Sequence, residues 1–455
     1  MSSAAYAMQR RSLNRRPYVY MVACAAAISG LLFGFDTAVI NGALLFLRAE
    51  FGLNEFYTEL VAGSLLFGCI FGSAGAGVLS DRWGSRKALL GSAVLFGAAA
   101  VGCAVPSNVW ELIAARFCCG LAIGVASVLA PMYISEVAPA DIRGRLVSLN
   151  QLAIVTGILM AYFVNWQLAG LGKGSWRWMF AVAALPSAAF FVAMWFNPES
   201  PRWLVRAGMA EEAHAVLLRT TVESQASREL QEIRHSLEEE ASARLRDLFR
   251  PGMRRALAIA VFLAVFQQIT GINTVLYYGS IIFKEIAGSS ASNAVGANVV
   301  IGLVNLICTI GALFLIDRFG RKVLLMAGSA GMGVSLLGLG FAFHAGTRSA
   351  SWILGLIVLY VACFALSLGP CVWVYIAEIF PNRIRGRAMS VATLTLWTAC
   401  LAVTLTFLSL VRMLSAAGTF WLYAGLCAVM FLVVGWVLPE TKKKTLEEIQ
   451  TLWKR

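Results

Sequence analysis

Glu136-Val137-Ala138-Pro139, with Ile142-Arg143-Gly144-Arg145 shortly after it, follows a long apolar stretch and occurs twice in this chain. The second copy is Glu378-Ile379-Phe380-Pro381 with Ile384-Arg385-Gly386-Arg387, and it begins 242 residues later (378 − 136). A repeat of this length, in which charged residues separate apolar segments, is typical of helical membrane proteins built from a duplicated unit. The repeat therefore predicts two similar halves.

Two further charged motifs are repeated in the same order. Asp81-Arg82-Trp83-Gly84 returns as Asp317-Arg318-Phe319-Gly320, and Pro198-Glu199-Ser200 returns as Pro439-Glu440-Thr441. Each motif follows an apolar stretch in both halves. Because internal repeats of helical membrane units are characteristic of transporters, the pattern predicts a transporter.

The composition excludes an ordinary soluble protein. Of the 455 residues, 59% are hydrophobic and 13% are charged, with a mean hydropathy of +0.75; soluble domains carry about 25% charged residues. Apolar runs of the length needed to cross about 30 Å of hydrocarbon fill most of the chain. There are twelve, at 18–46, 58–80, 88–106, 109–134, 146–168, 176–196, 254–283, 293–316, 323–344, 351–377, 388–411 and 417–438. We therefore expect an all-α membrane protein with twelve transmembrane helices in two pseudo-symmetric six-helix halves.

The distribution of charge predicts the orientation. The net charge is +13, and most of the 37 Lys and Arg residues fall on one face if both termini are assigned to it and the loops alternate. An excess of Lys and Arg marks the cytoplasmic side, so both termini are expected in the cytoplasm and the charge does not indicate nucleic-acid binding. The chain holds no Asn-x-Ser/Thr glycosylation acceptor, which favours a bacterial protein of the cell (inner) membrane.

Five regions are predicted on this basis. They are a cytoplasmic arm (1–17), a first six-helix half (18–196), a cytoplasmic linker with short amphipathic helices (197–253), a second six-helix half (254–438) and a cytoplasmic tail (439–455).

Catalytic and metal-binding chemistry is not indicated. The three His residues, His214, His235 and His344, are scattered, without a nucleophile or a metal-ligand pattern around them. The ten Cys residues lie in or at the ends of apolar runs without metal-ligand spacing, which predicts small buried hydrophobes. We expect no enzyme activity, no metal and no cofactor.

The charged residues of the repeated motifs lie at the predicted cytoplasmic ends of the spans. Bases there serve to fix the topology, but acids contribute little to orientation, and here acids and bases recur together in both halves. We expect these residues to form a salt-bridge network that closes the cytoplasmic side in one of two states. Its members are Asp81, Arg82, Glu136, Arg143, Asp317, Arg318, Glu378 and Arg385.

Taken together, the motifs resemble the sugar porter family of the major facilitator superfamily across essentially the whole chain. The matching elements are Gly77-x3-Asp81-Arg82-x-Gly84, Pro198-Glu199-Ser200-Pro201-Arg202, Gln267-Gln268-x3-Gly271-x-Asn273, Gly369-Pro370-x2-Trp373 and Pro439-Glu440-Thr441. One departure is Ser85, where the first-half motif of the family often has a base. The resemblance implies a secondary transporter that moves a monosaccharide by alternating access.

An acid and a base stand inside the apolar runs of the first half. Asp36 lies in the first run and Arg116 in the fourth, and ionisable residues at membrane depth are usually functional. Burial disfavours the ionised carboxylate while Arg116 favours it, so a change in their separation would couple proton binding to motion. A static structural pair is the alternative. In the resembling family, Asp at position 36 accompanies proton-coupled symport, whereas passive facilitators commonly have Asn.

Uncharged amides at membrane depth suit a sugar, because amides both donate to and accept from hydroxyl groups. Interhelical hydrogen bonding is the alternative role for any one of them. The neighbours Gln267 and Gln268 point about 100° apart on a helix, which predicts unwinding or partial exposure nearby. The resemblance places Trp373 and Trp397 in the sugar cavity as well. The substrate-binding set is Gln151, Gln267, Gln268, Asn273, Asn305, Trp373 and Trp397.

The resemblance also implies gating residues. Tyr277 and Tyr278 match the outer gate of the family, and Gly369-Pro370 is expected to weaken its helix and act as a hinge.

Three positions bear on specificity. Leu396 and Cys400 stand where the family often has amides, and Ile158 is apolar where some pentose porters have Gln. These departures favour a hexose mildly over a pentose. We expect a proton-coupled sugar symporter whose partners are the sugar, the proton and the lipid membrane, and which is a monomer. The alternatives are a passive sugar facilitator, a polyol or cyclitol symporter, and a transporter-like sensor, for which the short tail offers no output module.

Overall fold

The computed structural model describes residues 16–139, 141–242, 245–250, 253–286, 288, 290–346 and 349–442. The predicted cytoplasmic arm falls mostly outside the described residues, as does most of the predicted tail. The side chain of Asp317, which belongs to the predicted ion-pair network, also lies outside them.

The described residues of the first half form seven α-helices. They are α1 (Arg16–Phe51), α2 (Glu55–Trp83), α3 (Ser85–Ala104), α4 (Val109–Val137), α5 (Arg143–Leu168), α6 (Ser175–Ala181) and α7 (Ala184–Trp195). Asparagine precedes the two helices that follow the first and third spans: Asn54 accepts a hydrogen bond from the backbone of Tyr57, and Asn108 accepts two, from Trp110 and Glu111. Such side-chain acceptors satisfy the free N–H groups of a first helical turn, which is why α2 and α4 begin there.

Within the described residues the linker contains three α-helices and the second half contains seven. The linker helices are α8 (Pro201–Arg206), α9 (Ala210–Thr220) and α10 (Glu223–Ser242). The second half consists of α11 (Met253–Ile269), α12 (Ile272–Ile281), α13 (Ala291–Phe319), α14 (Arg321–His344), α15 (Ala350–Leu366), α16 (Leu368–Ile379) and α17 (Asn382–Val437).

These helices make twelve membrane spans. Eleven segments of the described chain are long and apolar enough to cross a membrane, and one of them, Ile384–Val437, has 54 residues. A helix of that length would measure about 80 Å, more than twice the hydrocarbon thickness. Ser415, with φ 66° and ψ 167°, interrupts α17 and divides it into two spans. The prediction of twelve spans is confirmed. We call the membrane face that carries the linker the linker face, and the opposite one the distal face.

Two spans break where a proline removes a backbone donor. Pro186 has no N–H for the carbonyl of Val182, which accepts instead from Leu185 at 3.0 Å, and α6 ends just before this point. In the second half Pro370 has no N–H for the carbonyl of Leu366, which is the last residue of α15. The sixth and tenth spans are therefore each made of two helices.

The position of the second break differs by a few residues from the hinge expected at Gly369-Pro370. The non-helical residue is Ser367, with φ −133° and ψ −89°. Gly369 and Pro370 lie in the first turn of α16. Because Pro370 has no N–H, it gives no helical donor to the carbonyl of Leu366, four residues earlier. The helix therefore ends before the proline.

The seventh span breaks at a glycine. Gly271 has φ +97°, a left-handed conformation that glycine adopts without strain, and it separates α11 from α12. A Cβ at this position would lie 2.7 Å from the ring of Tyr423, so the space is also closed to other residues. The unwinding predicted next to Gln267 and Gln268 is present here.

Glycines bring the helices of the first half close together. A Cβ on Gly34 of α1 would lie 1.8 Å from the carbonyl oxygen of Ile154 in α5, and one on Gly120 of α4 would lie 1.9 Å from that of Leu65 in α2. In lipid, where the apolar phase gives little drive for helix association, such close backbone approach supplies van der Waals packing. The pairs α1–α5 and α2–α4 are thereby fixed relative to one another.

Within the described residues the two halves meet mainly along three pairs of helices. These are α2 with α17, α5 with α13, and α1 with α12. Of the predicted substrate residues, four lie on helices of these pairs: Gln151 (α5), Asn273 (α12), Asn305 (α13) and Trp397 (α17). Gln267 and Gln268 lie on α11 and Trp373 lies on α16, which pack within the second half.

Candidate functional site

The two charged residues predicted at membrane depth lie together. Asp36, in the middle of α1, and Arg116, in α4, are 1% and 0% exposed. Oδ1 of Asp36 lies 3.9 Å from Nη1 of Arg116. The structure thus brings together the acid and the base that were far apart in the sequence.

This ion pair uses only part of its hydrogen-bonding capacity. Nε of Arg116 donates to the carbonyl of Val61 at 3.1 Å, and its guanidinium carbon lies 5.4 Å from the ring centroid of Phe180. Oδ2 of Asp36 and both Nη atoms of Arg116 have no hydrogen-bond partner among the described residues. A guanidinium stays charged at any physiological pH, so Asp36 is the member of the pair that can take up and release a proton.

Three of the predicted amides form a chain at the break of the seventh span. Nε2 of Gln267 donates to the carbonyls of Leu368 at 2.8 Å and Gly369 at 3.1 Å. Nε2 of Gln268 donates to Oε1 of Gln267 at 3.3 Å, and Nδ2 of Asn273 donates to Oε1 of Gln268. The chain therefore joins the unwound part of one span to the start of α16 in another.

The chain continues to a predicted gate residue through Cys400. Sγ of Cys400 lies 3.0 Å from Nδ2 of Asn273 and 3.9 Å from the hydroxyl of Tyr277. The hydroxyl of Tyr278 donates to the carbonyl of Thr404 at 2.7 Å, in the same helix as Cys400. Both tyrosines are thus tied to α17.

Of the remaining predicted substrate residues, Gln151, Asn305 and Trp397 lie on helices that meet the other half, whereas Trp373 lies on α16. Trp397 is buried, its ring centroid lies 5.4 Å from that of Phe33 in α1, and its indole N–H has no partner among the described residues. Trp373 and Gln151 are half-buried and Asn305 is buried. No hydrogen bond within the described residues connects Gln151 or Asn305 to the amide chain.

Hydrogen bonds between the halves cluster toward the distal ends of the spans. Nδ2 of Asn41 in α1 donates to the carbonyl of Leu276 at 2.8 Å, and Oδ1 of Asn41 accepts from the hydroxyl of Ser280 at 2.5 Å. The hydroxyl of Tyr162 in α5 also donates to the carbonyl of Leu276, at 3.1 Å. These bonds hold α12 against the first half.

A buried acid, Glu59 of α2, joins the halves at the same level. Its two oxygens accept from the backbone N–H and from the hydroxyl of Ser409 in α17, each at 2.9 Å. Glu59 is 2% exposed. One turn earlier, Glu55 lies 3.8 Å from Arg412 of the other half. The distal ends of the spans are therefore in contact.

At the linker face each half is closed by a glutamate of a repeated motif. Oε1 of Glu199 accepts from the backbone N–H of Arg86 at 2.9 Å. Glu440 takes the same place in the second half, where it accepts from Arg321 at 3.1 Å and Lys322 at 3.0 Å. Each carboxylate caps the first turn of the helix after the repeated glycine, where free N–H groups attract a negative charge. Burial raises the pKa of Glu199, although its N–H donors oppose that shift.

The glutamate of the longest repeat, Glu136 or Glu378, accepts a hydrogen bond from the Pro-Glu-Ser/Thr motif of its own half. The hydroxyl of Ser200 donates to Glu136 at 2.5 Å, and that of Thr441 donates to Glu378 at 2.6 Å. Tyr133 and Tyr375 complete the correspondence, since their hydroxyls donate to the carbonyls of the motif prolines, at 2.7 Å and 2.9 Å. The two halves thus share a network as well as a sequence pattern.

The network differs between the halves at Ser85. In the second half Arg321 forms an ion pair with Glu378 at 2.8 Å. Ser85 occupies the matching position of the first half, and its hydroxyl lies 2.9 Å from that of Ser80. The departure from the family motif therefore replaces an ion pair with a hydroxyl contact.

The other members of the predicted network have different partners. Asp81 pairs with Arg206 of the linker, while Arg82 and Arg318 are exposed. Arg143 and Arg385 each donate to the carbonyl five residues before them, at 3.4 Å and 3.3 Å. The bonds described here join partners within one half or to its adjoining segment, and a role in closing the cytoplasmic side stays a prediction.

Comparison with known proteins shows the family of this chain. The family model described as "Sugar (and other) transporter" matches residues 22–453. The chain belongs to the sugar porter family. It is a multi-pass membrane transporter of the major facilitator fold and not an enzyme, as predicted.

Curated relatives match this sugar porter over nearly its whole length. The arabinose-proton symporter of Bacillus subtilis is 41% identical, over 96% of this chain and 95% of the relative. The galactose-proton symporter of Escherichia coli is 38% identical, over 97% and 96%. The D-xylose-proton symporter of Escherichia coli is 38% identical, over 96% of each.

Solved structures show the same fold. The inward-open structure of the xylose transporter XylE from E. coli matches with a TM-score of 0.84 and 36% identity, over 96% of this chain and 100% of that chain. The proton:xylose symporter XylE bound to 6-bromo-6-deoxy-D-glucose matches with a TM-score of 0.82 and 37% identity, over 96% and 100%.

Sequence reasoning missed several polar residues of this sugar porter that join the halves, among them Glu59 and Asn41. Glu59 lies at the edge of the second apolar run, where its charge reads as the end of a span. Asn41 lies inside the first run and was a visible signal, since an amide at membrane depth needs partners. The partners of both residues come from the other half, which the sequence does not place.

The two capping glutamates of this sugar porter give a paired prediction. At Glu199 a single oxygen, Oε1, accepts from both Arg86 and Ser200, so Glu199→Gln keeps its acceptor. At Glu440 both carboxylate oxygens accept backbone N–H groups. In Glu440→Gln the amide NH₂ replaces one of these oxygens, so one backbone N–H faces a donor instead of an acceptor. We expect Glu440→Gln to cost about 1–2 kcal/mol of stability and Glu199→Gln clearly less. Thermal unfolding of both purified variants in one detergent measures this, and equal shifts would contradict the capping geometry.

Proposed function

We propose that this chain is a proton-coupled symporter that moves a monosaccharide across the membrane by alternating access. The arabinose-, galactose- and xylose-proton symporters among its relatives support proton coupling and a sugar substrate. The two six-helix halves, in contact at the distal face, provide the two bodies whose relative motion would expose a central site to one side and then the other.

The buried pair of Asp36 and Arg116 carries the proposal. The two residues lie 3.9 Å apart at membrane depth, and Oδ2 of Asp36 has no hydrogen-bond partner among the described residues. A fully satisfied structural pair would have its lone pairs and protons bound, because leaving them unbound in a dry interior is costly. In our proposal Asp36 is protonated in one state, and is ionised and closer to Arg116 in the other.

The sugar would bind at the amide chain. Gln267, Gln268 and Asn273 supply donors and acceptors beside the break of the seventh span. Trp397 adds an apolar ring face and an indole N–H that has no partner among the described residues. A sugar presents hydroxyl groups and apolar faces, which match this combination. Gln151, Asn305 and Trp373 are the further substrate residues of the proposal. Tyr277 and Tyr278 are its gate on the distal side.

The class of substrate, whether hexose, pentose, polyol or cyclitol, is left open in this proposal. A hexose was predicted from Ile158, Leu396 and Cys400, and it is not confirmed, since relatives named for the pentoses arabinose and xylose match as well as one named for galactose. A polyol or cyclitol offers the same hydroxyl chemistry. A passive sugar facilitator is the alternative mechanism on the same fold.

We further propose a monomer in the cell (inner) membrane, with the linker face in the cytoplasm. The described bases of the linker face, among them Arg82, Lys87, Arg318 and Lys322, support this orientation.

Uptake into proteoliposomes tests the proposal. With acid outside, labelled galactose or xylose is expected to accumulate above its external concentration, and a protonophore is expected to abolish the accumulation. Unlabelled glucose, arabinose, xylose, sorbitol and inositol as competitors then identify the substrate class. Uptake that only equilibrates, with or without the protonophore, would indicate a passive facilitator.

A further inference from the structure

Tyr360 donates a hydrogen bond into the break of the seventh span from another span. It lies in α15, its side chain is fully buried, and its hydroxyl donates to the carbonyl of Thr270 at 3.0 Å. Thr270 lies between α11 and α12, next to Gly271. The hydroxyl therefore reaches the backbone at the point where the helix is interrupted.

The carbonyl of Thr270 needs this donor. In an unbroken helix the N–H of Thr274 would serve it, but that N–H bonds to the carbonyl of Gly271 at 3.1 Å. A buried carbonyl without a donor is costly at membrane depth, where no bulk water replaces it. Tyr360 supplies the donor that the break removes.

A second bond runs in the opposite direction between the same two spans. Gln267, two residues before the end of α11, donates to the carbonyls of Leu368 and Gly369 in the first turn of α16. Tyr360 and Gln267 thus each satisfy backbone carbonyls beside the break of the other span. The two breaks are tied together at two points.

The amides proposed to bind sugar lie on both sides of this tie. Gln268 precedes Thr270 by two residues and Asn273 follows it by three, and their side chains bond to each other across the break. Their relative position depends on the backbone conformation at Thr270 and Gly271, because the helical ladder is broken there: the N–H of Thr270 still bonds to the carbonyl of Phe266, but the carbonyl of Thr270 receives no helical N–H. The bond from Tyr360 is the constraint that α15 adds.

We propose that Tyr360 is a positioning residue: by holding the carbonyl of Thr270 it sets the spacing of Gln268 and Asn273, and through them the affinity for the sugar. This inference depends on the proposed function in one respect, namely that the ligand bound by Gln268 and Asn273 is a sugar. Without this hydrogen bond, the backbone at the break is expected to sample several conformations, and the amides with it. Only the fraction of molecules whose amides have the binding geometry binds sugar, so the apparent affinity falls.

The chain offers a matched control for this hydroxyl. Tyr423 contacts the same break, since its ring lies against Gly271, and its buried hydroxyl has no hydrogen-bond partner among the described residues. Tyr360→Phe and Tyr423→Phe each remove one buried hydroxyl beside Gly271. Only the first removes a hydrogen bond.

Two measurements on the full-length protein test the proposal. The first is the KM and the maximal rate of galactose or xylose exchange in proteoliposomes. Tyr360→Phe is expected to raise KM about tenfold with a maximal rate within about twofold of the unmodified protein, whereas Tyr423→Phe leaves KM unchanged; a tenfold change corresponds to about 1.4 kcal/mol. The second is hydrogen–deuterium exchange of the segment 266–276 without sugar, where Tyr360→Phe is expected to exchange several-fold faster and Tyr423→Phe is not.

The outcomes separate this inference from the proposed function. Equal KM values in the two variants, or a lower maximal rate with unchanged KM in Tyr360→Phe, would overturn the positioning role. Unchanged exchange in segment 266–276 would overturn it as well. If the unmodified protein transports none of the sugars, the proposed function fails, and the exchange measurement still decides whether Tyr360 holds the break.

Discussion

Asp36→Asn is expected to abolish sugar accumulation driven by a pH gradient while leaving sugar exchange intact. Asn has nearly the shape of Asp and resembles its protonated form, so the halves can still move. It carries no titratable proton, so the motion is no longer linked to the pH difference. With one proton per sugar, each pH unit drives about tenfold accumulation, and this ratio is expected to fall to one.

The experiment compares uptake and exchange in the same proteoliposomes. Labelled sugar is followed with and without a gradient of one pH unit, and exchange is followed with sugar on both sides and no gradient. Asp141→Asn is the control, since Asp141 pairs with Arg16 at the exposed linker face. Accumulation that survives in Asp36→Asn would remove Asp36 from the coupling. Loss of exchange together with accumulation would indicate a structural role instead.

Gly34→Ala is expected to disrupt the first half. The new Cβ would lie 1.8 Å from the carbonyl oxygen of Ile154, and backbone cannot rotate away as a side chain does. The helices α1 and α5 must separate, which costs packing along both and exceeds the usual 1–3 kcal/mol of an overpacked core. Because Asp36 lies two residues further along α1, its distance to Arg116 changes as well.

The measurement is the yield of monodisperse protein after detergent extraction, with its melting temperature. Gly91→Ala is the matched control, since a Cβ on Gly91 in α3 meets nothing within 4 Å. We expect a normal yield for Gly91→Ala and a severe loss for Gly34→Ala. A Gly34→Ala protein that melts like the control would mean that α1 and α5 are not held by close backbone contact.

Much of the fold could be read from the sequence because the lipid restricts what a chain can do. Apolar runs of sufficient length must be helices, so the twelve spans followed from the positions and lengths of these runs. The exact break of the tenth span did not follow, because Pro370 ends the helix at a carbonyl four residues before it. The turn at Ser415 is short, and the sequence there places no proline or glycine at the turn itself.

The candidate site was predicted in part. Asp36 and Arg116 could be paired because ionisable groups at membrane depth need partners. Gln267, Gln268 and Asn273 were recognised by their pattern. Glu59, Asn41 and Tyr360 were not, because each acts on backbone groups or hydroxyls of a distant helix, and such partners leave no mark in the local sequence.

The glutamates at positions 199 and 440 have a consequence for how the chain is assembled. In each half, a glutamate after the last span accepts backbone hydrogen bonds from the start of the third span. The segment between Ser200 and Met253 is therefore not what closes either half, although its Arg206 pairs with Asp81 of the first half. A change in the length of this segment is expected to leave both glutamate caps in place, provided that the contacts of Trp203 and Arg206 with Asp81 are kept.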